Sequence, residues 1–221
     1  MSLFVGFVGF KGGTGKTILC FQMAERALAA GLKVCVVDLD PELSSRDHFL
    51  WRSQRELSTW DLEVKDVSRA PEREMFDGSL DSYDIVFCDF PGFNSDRVRE
   101  YMDRMDLMLA PISASPQDRT VNTSLGFLGQ RRSWPLYFVV NHVAVSSKRA
   151  RSLLEDLFAG EFKICPVMVS RWVLFHESSE WGYGVCEYAP ESRAAAQVGR
   201  LWSWLDETLG TLVESRLAAA V

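Results

Sequence analysis

A glycine-rich segment near the N-terminus has the residue types needed to hold a phosphate group. Gly12, Gly13 and Gly15 are followed directly by Lys16 and Thr17. Glycines let backbone N–H groups crowd around an anion, and the N-terminus of the helix predicted next adds a partial positive charge. In such a loop the lysine reaches the β- and γ-phosphates and the hydroxyl binds Mg²⁺. The segment therefore predicts a site for a nucleoside triphosphate and Mg²⁺, with the contacting residues Lys11, Gly12, Gly13, Thr14, Gly15, Lys16, Thr17 and Ile18.

The spacing of this loop departs from the usual phosphate-loop pattern G-x-x-x-x-G-K-[ST]. That pattern requires a glycine where this chain has Phe10, and a second lysine, Lys11, opens the loop instead. The simpler alternative is a glycine-rich turn with an unrelated lysine. The apolar run before the loop and the helical pattern after it favour a phosphate site, because strand, loop and helix must follow in that order.

Carboxylates follow two other apolar runs. Asp38 and Asp40 come after residues 34–37, and Asp89 comes after residues 85–88. Ligands of α/β sheets bind at the carboxyl ends of the parallel strands, and an aspartate in the position of Asp89 commonly lies near a nucleotide-bound Mg²⁺. An aspartate in an ordinary turn after a strand is the alternative, and the neighbouring phosphate loop argues against it.

Short apolar runs alternate with longer amphipathic stretches, which predicts an α/β fold. The fold expected is a doubly wound, mainly parallel sheet flanked by helices, in a single domain over residues 1–221. Segment 44–74 is the least regular, with a helix expected near 45–57 and a strand near 62–67. The other expected strands are 4–10, 34–37, 85–88, 107–112, 136–140 and 167–169. The other expected helices are 17–30, 97–105, 120–130, 148–158 and a last one that Ser192 caps and that runs to about 218.

Composition excludes several classes of protein. Hydrophobic residues make up 47% of the 221 residues and charged residues 24%, as in a globular protein, and no apolar run is long enough to span a bilayer. The five cysteines form no C-x-x-C pair, which disfavours a disulfide framework or a zinc site and favours the cytoplasm. The net charge of −6 is unlike that of a strongly basic nucleic-acid binder, although local basic clusters remain.

The segment from Lys11 to Thr17 resembles the deviant Walker A loop, K-G-G-x-G-K-[ST], of the ParA/MinD family of ATPases. The resemblance implies that ATP is sandwiched in a homodimer, in which Lys11 reaches the partner's nucleotide. It further implies that Lys11, Lys16 and Asp40 are catalytic, with Asp40 positioning the attacking water. The implied Mg²⁺ ligands are Thr17, Asp38 and Asp89. Glu42 stands where the family often has glutamine.

Later segments are similar to further motifs of the same family. The resemblance implies that Asn141 contacts the adenine ring and that the segment from Pro166 to Arg171 wraps the base. The segment 182–194 is similar to the family's closing pattern, G-x-x-x-x-[DE]-Y-x-P-x-S-[RK]. Asp118 lies in a segment that lines the dimer interface in the ParA branch, so it either faces the partner or caps the following helix.

Members of this family act as ATP-dependent switches that bind DNA or a membrane, and an adaptor protein stimulates their slow hydrolysis. The C-terminal segment 210–221 has a single arginine and no lysine, which disfavours a membrane-binding amphipathic helix. Basic residues could hold DNA nonspecifically, although ordinary surface explains them equally well. The chain lacks the N-terminal helix-turn-helix of larger ParA proteins, so a short ParA-type ATPase is expected, cytoplasmic and associated with the nucleoid if it binds DNA. The candidate DNA-binding residues are Lys148, Arg149, Arg151, Arg131, Arg132, Arg171, Arg193 and Arg200.

Three alternatives stay open on the sequence. One is a membrane-associated, MinD-like regulator. Another is a regulatory or DNA-processing module that uses the dimer only for docking. The last is a metabolic enzyme of the same superfamily, such as an amidoligase or a nitrogenase-reductase-like protein, for which ATP turnover would depend on a small-molecule acceptor. A reductase would also need cysteines that hold a cluster at a dimer face, and Cys88 lies inside a predicted strand, where it is a poor ligand.

Overall fold

The computed structural model describes residues 2–40, 44–64, 74, 76, 78–143 and 147–219. Apolar residues dominate the central strands because these strands are covered by helices on both faces. The strands are β1 (Leu3–Phe7), β2 (Val34–Asp38), β3 (Asp61–Val64), β4 (Ile85–Asp89), β5 (Leu107–Ile112), β6 (Leu136–Val143) and β7 (Val169–Ser170).

These strands form a seven-stranded sheet in the order β3-β2-β4-β1-β5-β6-β7, and all neighbouring strands are parallel. The predicted α/β fold is therefore confirmed. Because β1 lies between β4 and β5, the loop after β1 opens at the middle of the sheet's carboxyl edge. This is the place where doubly wound sheets bind their ligands.

Helices cover the two faces of the sheet. One face packs against α1 and α8, together with the short α6 and α7, and the other packs against α3, α4 and α5. The helices are α1 (Lys16–Ala29), α2 (Ser44–Gln54), α3 (Asp96–Met102), α4 (Pro116–Arg132), α5 (Lys148–Ala159), α6 (Leu174–Glu180), α7 (Val185–Tyr188) and α8 (Arg193–Ala219). Within the described ranges, no helix has both the length and the apolarity required to cross a bilayer.

Several predicted boundaries were wrong by a few residues. Strand β1 ends at Phe7 and not at residue 10, because the chain must leave the sheet before it forms the loop. Helix α4 begins at Pro116 and not at residue 120, because the Ser115 hydroxyl caps it. The last helix begins as predicted, since Ser192 Oγ accepts a hydrogen bond from Ala195 N at 3.1 Å. Helices α6 and α7 were missed, because at 7 and 4 residues they are too short to show a clear period.

Candidate nucleotide-binding site

The glycine-rich loop connects β1 to α1, and its backbone needs glycine at two positions. Gly13 has φ 76° and Gly15 has φ 96°, a left-handed conformation that other residues rarely adopt. A Cβ on Gly15 would also lie 2.4 Å from Asn141 Nδ2, which is closer than any real contact. The loop therefore folds tightly against the end of β6, at the N-terminus of α1.

The two lysines of the loop point in different directions. Lys16 is buried, and its Nζ donates a hydrogen bond to the carbonyl oxygen of Lys11 at 3.2 Å. The Lys11 ammonium instead pairs with the Asp118 carboxylate, on the first turn of α4. The side chain of Lys11 is 38% exposed, whereas that of Asp118 is 6% exposed. Lys16 thus lies inside the loop, and Lys11 lies at its outer rim.

Asp118 does not cap α4, so that interpretation of the sequence was wrong. Ser115 is the cap, because its hydroxyl accepts a hydrogen bond from Asp118 N at 3.2 Å. The Asp118 carboxylate is left to accept hydrogen bonds from the side chains of Lys11 and Ser113. Burial raises the pKa of Asp118, but these bonds outweigh burial and leave the pKa below its ordinary 3.8.

The predicted carboxylates meet at the carboxyl edge of the sheet beside the loop. Asp38 and Asp89 are direct neighbours in the register of β2 and β4, and both are fully buried. Asp40 is half-buried, and its backbone N–H donates to Asp38 Oδ1 at 3.0 Å. The chain after β4 packs on the loop itself, since a Cβ on Gly92 would lie 2.8 Å from Gly12 N. Glu42, by contrast, lies outside the described residues.

Asn141 supports the loop from β6. Its Nδ2 donates to the Thr14 carbonyl oxygen at 2.8 Å, and its Oδ1 accepts from His142 N at 2.9 Å. His142 has φ 56°, and the register between β6 and β7 shifts between Asn141 and Val143, so β6 is irregular directly after Asn141. Asn141, the residue predicted to contact adenine, therefore also holds the loop through a hydrogen bond.

A pocket of about 470 Å³ opens beside Asn141, between the ends of β5, β6 and β7. Arg171 lines this pocket, whereas Pro166 is exposed and lies before β7. Thr17 and Ile18 are half-buried in the first turn of α1. Burial lowers the pKa of His142, and the charge of Arg171 lowers it further. The pocket lining consists of Ser113, Ala114, Ser115, His142, Val143, Ser147, Arg149 and Arg171.

A model of the CobQ/CobB/MinD/ParA nucleotide-binding domain matches residues 5–180 of the chain. The chain belongs to this family. The relationship to ParA and MinD ATPases that the loop sequence predicted is thus confirmed. A search among curated proteins found no match.

Solved structures of ParA/MinD-family proteins share the fold at low sequence identity. A ParA family ATPase from Chlorobium tepidum is 16% identical, with a TM-score of 0.70 over 90% of this chain and 97% of its own. A plasmid partition protein from Borrelia burgdorferi bound to AMPPNP is 11% identical, with a TM-score of 0.73 over 94% and 99%. The septum site-determining protein MinD from Pyrococcus horikoshii, complexed with Mg-ADP, is 18% identical, with a TM-score of 0.71 over 96% and 99%.

The residues at this site fit ATP with Mg²⁺. A Cβ on Gly12 or Gly13 would meet nothing within 4 Å, so this side of the loop has open space in which a phosphate could contact backbone N–H groups closely. The neighbouring carboxylates of Asp38 and Asp89 supply the oxygen donors that Mg²⁺ prefers.

The acidic residue of the ParA/MinD family's closing pattern has a structural contact that the sequence did not predict. Glu187 forms an ion pair with Arg52, which is almost fully buried, at 2.6 Å. Arg52 also donates to the Gly182 carbonyl oxygen at 3.0 Å, and Glu187 accepts from Gly184 N at 2.8 Å. Arg52 lies on α2, the first helix after Asp40, so the closing pattern anchors the segment that follows the β2 carboxylates. Arg52 and Glu187 are 135 positions apart, and their opposite charges are the only feature of the sequence that indicates their pairing.

Proposed function

We propose that this chain is an ATP-driven switch of the ParA type. In this proposal it dimerises on binding ATP and hydrolyses ATP slowly, in order to partition or position DNA or another large cargo. The observation that carries the proposal is the different surroundings of the two loop lysines. Lys16 is enclosed by its own loop, whereas Lys11 lies at the half-exposed rim, where a second subunit has access to it.

The side chains around the loop have distinct roles in this proposal. Lys16 binds the β- and γ-phosphates, and Mg²⁺ is held by the Thr17 hydroxyl with the carboxylates of Asp38 and Asp89. The metal supplies charge neutralisation of the phosphates. Asp40 is next to this pair but more exposed, which suits a carboxylate that orients water.

The remaining site residues are assigned to the adenine base and to the nucleotide of the partner subunit. Asn141, Pro166 and Arg171 surround the adenine, and the pocket beside Asn141 has the volume for it. Lys11 leaves Asp118 and reaches the nucleotide of the partner subunit. Both lysines are therefore catalytic groups, but only Lys11 acts between subunits.

The lysine assignments are tested by measuring ATP binding and the mass of the particle separately. With Mg²⁺ and ATP, the Asp40→Ala variant should bind ATP, accumulate as a dimer in light scattering and hydrolyse poorly. Adding Lys11→Ala to it should abolish the dimer but keep ATP binding. Adding Lys16→Ala should abolish both. A Lys11→Ala protein that still dimerises with ATP contradicts the proposal, as does undiminished hydrolysis in the Asp40→Ala variant.

A basic surface at the start of α5 favours DNA as the partner that the ATP-bound dimer binds. Lys148, Arg149 and Arg151 are exposed, and none of them forms an ion pair with the residues that the structure describes. The first turn of α5 has no acidic residue. Cations at a helix N-terminus are opposed by the helix dipole, so their placement costs stability and suits an anionic partner.

DNA binding is tested by fluorescence anisotropy of a random duplex with ATP, with ADP and without nucleotide. Binding should require ATP and weaken steeply between about 50 and 200 mM salt. Replacing Lys148 and Arg151 by alanine should reduce the slope of log K against log salt by about 2, since each contact releases roughly one counterion. Arg149 is kept in this variant because it lines the pocket assigned to adenine. ATP-independent binding, or an unchanged slope, contradicts this part of the proposal. A control variant removes two other exposed charges, Lys33 and Lys163, and should leave the slope unchanged.

The cellular consequence of the proposal is a cytoplasmic protein that associates with the nucleoid. An adaptor protein bound to the cargo stimulates hydrolysis and releases the dimer from DNA. The alternative of a metabolic enzyme makes a different prediction, because its basal turnover would rise with a small-molecule acceptor and would not respond to DNA.

A further inference from the structure

Helix α4 presents a row of buried residues to the phosphate loop and the sheet. Asp118, Asn122, Leu125, Gly126 and Gly129 are its buried positions, and their spacing places them on one face of the helix. The last three contact apolar groups, as expected for a core-facing helix. The first two are polar, and Asp118 is accounted for by its pair with Lys11. Asn122, one turn further along, has no comparable explanation.

The side-chain amide of Asn122 is fully enclosed but has no hydrogen bond. Asn122 is 0% exposed, and neither its Nδ2 nor its Oδ1 has a partner among the residues that the structure describes. The buried hydroxyl of Thr14 in the phosphate loop is in the same state. Buried polar groups are nearly always hydrogen-bonded, because they have given up their bonds to water. Two such groups in one region therefore indicate a second arrangement in which they are satisfied.

Gly9, at the end of the chain segment that leads into the loop, separates the two groups. A Cβ built on Gly9 would lie 3.6 Å from Asn122 Oδ1 and 3.7 Å from Thr14 Oγ1. The same point is 3.6 Å from Cδ of Lys16. The carboxamide oxygen and the hydroxyl thus approach one small space, which is open because residue 9 has no side chain. A hydroxyl donor and an amide acceptor are complementary.

We propose that Asn122 is a positioning residue of the phosphate loop, whose Oδ1 accepts a hydrogen bond from the Thr14 hydroxyl when the loop closes on ATP. The inference rests on the proposed ATP site, but concerns how that site is held. Thr14 would then be fixed at two points, its carbonyl by Asn141 and its hydroxyl by Asn122. Because Asp118 of α4 also pairs with Lys11, the bond between Asn122 and Thr14 would link the position of Lys11 to the presence of nucleotide.

A double-mutant cycle on ATP affinity tests the bond. Asn122→Leu and Thr14→Val each remove one partner at nearly constant volume, and each should raise the Kd for a fluorescent ATP analogue with Mg²⁺ about fivefold, the effect of one neutral hydrogen bond. The double variant should also lose about fivefold, not about twenty-fivefold, because the two side chains act as one unit. Thr14→Ser keeps the hydroxyl and should therefore lose less affinity for ATP than Thr14→Val does.

Thermal stability without nucleotide separates this role from ordinary packing. Asn122→Leu removes an unpaired buried amide, so it should raise the Tm of the nucleotide-free protein while it weakens ATP binding. A residue that only packs would change both in the same direction. An unchanged Kd for Asn122→Leu, or additive losses in the cycle, overturns the proposal.

Gly9→Ala tests the same bond without touching either partner. Its methyl group makes ordinary contacts of 3.6–3.7 Å in the nucleotide-free loop, so the variant should fold. The methyl group would occupy the space between Thr14 and Asn122, and the Kd for ATP should rise about fivefold or more. If Asn122→Leu fails to fold, Thr14→Val and Gly9→Ala decide the question, and wild-type affinity in both refutes it. Failure of the wild-type protein to bind ATP would instead refute the proposed ATP site.

Discussion

The pair between Lys11 and Asp118 predicts an asymmetric response to mutation. In Lys11→Met the Asp118 carboxylate, 6% exposed, stays charged and loses its strongest donor. A buried charge without its partner costs about 2–3 kcal/mol of unfolding free energy. In Asp118→Asn the Lys11 ammonium, already 38% exposed, turns into water, and the loss should be only about 1 kcal/mol. The more exposed residue is thus the more costly one to replace.

The double variant Lys11→Met/Asp118→Asn completes the comparison. With neither charge present, the loss should be close to that of Asp118→Asn alone, about 1 kcal/mol, which gives a coupling energy of about 2 kcal/mol. The assay is urea unfolding of the nucleotide-free protein at neutral pH. Equal losses in the two single variants, or additive losses in the double variant, would show that the pair does not hold the loop in solution.

The pH dependence of the same pair gives an independent check. The pKa of Asp118 lies below its ordinary 3.8 in the folded protein, so the unfolded chain takes up the proton first as the pH falls. The stability that the pair contributes is therefore present above about pH 4 and is lost as the pH falls through the lowered pKa. The difference between the wild type and Asp118→Asn should stay constant from about pH 8 to pH 5.

Three further predictions concern residues near the loop and α2. Gly15→Ala should lower the Tm of the nucleotide-free protein by several degrees, because its Cβ would lie 2.4 Å from Asn141. Gly12→Ala should leave the Tm unchanged, since its Cβ would have nothing within 4 Å. Equal Tm values for the two variants would exclude this strain. Burial lowers the pKa of His48 to about 3, so at pH 5 this imidazole is protonated in the unfolded chain and neutral in the folded protein. The free energy of unfolding should therefore fall by about 2 kcal/mol between pH 7.5 and pH 5. His48→Phe should remove most of that fall in urea unfolding, and an unaltered pH dependence would assign it to other groups. Arg52→Met should cost about 2–3 kcal/mol, because it leaves the partly exposed carboxylate of Glu187 without its partner and the carbonyl oxygen of Gly182 without a donor. A loss under about 1 kcal/mol in the same assay would show that the ion pair is dispensable.

The sequence predicted the sheet and most helices, because their signals are local. Continuous apolar runs indicated strands covered on both faces, and the strand over 107–112 has the predicted bounds. The errors fall where a long-range contact or a cap decides the boundary. Strand β6 runs on to Val143, past the predicted residue 140, in the region where β7 pairs beside it. That extension cannot be read from a window of neighbouring residues.

The chemistry of the site was also largely present in the sequence. The phosphate loop depends on residues adjacent in the chain, so its glycines, Lys16 and Thr17 predicted the loop, and Lys11 predicted the family. Asp38 and Asp89 were predicted as strand-ending carboxylates from their apolar runs. Their direct adjacency, however, follows from the pairing of β2 with β4 in one register, and local periodicity does not specify which strands are neighbours.

The amino-acid sequence by itself thus determined the loop residues and the strand-ending carboxylates that are predicted to bind phosphate and metal, and the tertiary structure decided how those groups are held. Lys11 meets Asp118 across 107 residues, and Asn141 reaches Thr14 across 127. Both contacts exist because β5 lies next to β1 in the sheet and β6 lies next to β5, which brings the carboxyl ends of these strands and the segments that follow them to the loop. A loop motif needs only its own backbone conformation. The orientation of Lys11 needs a carboxylate placed beside it by the packing of the whole sheet.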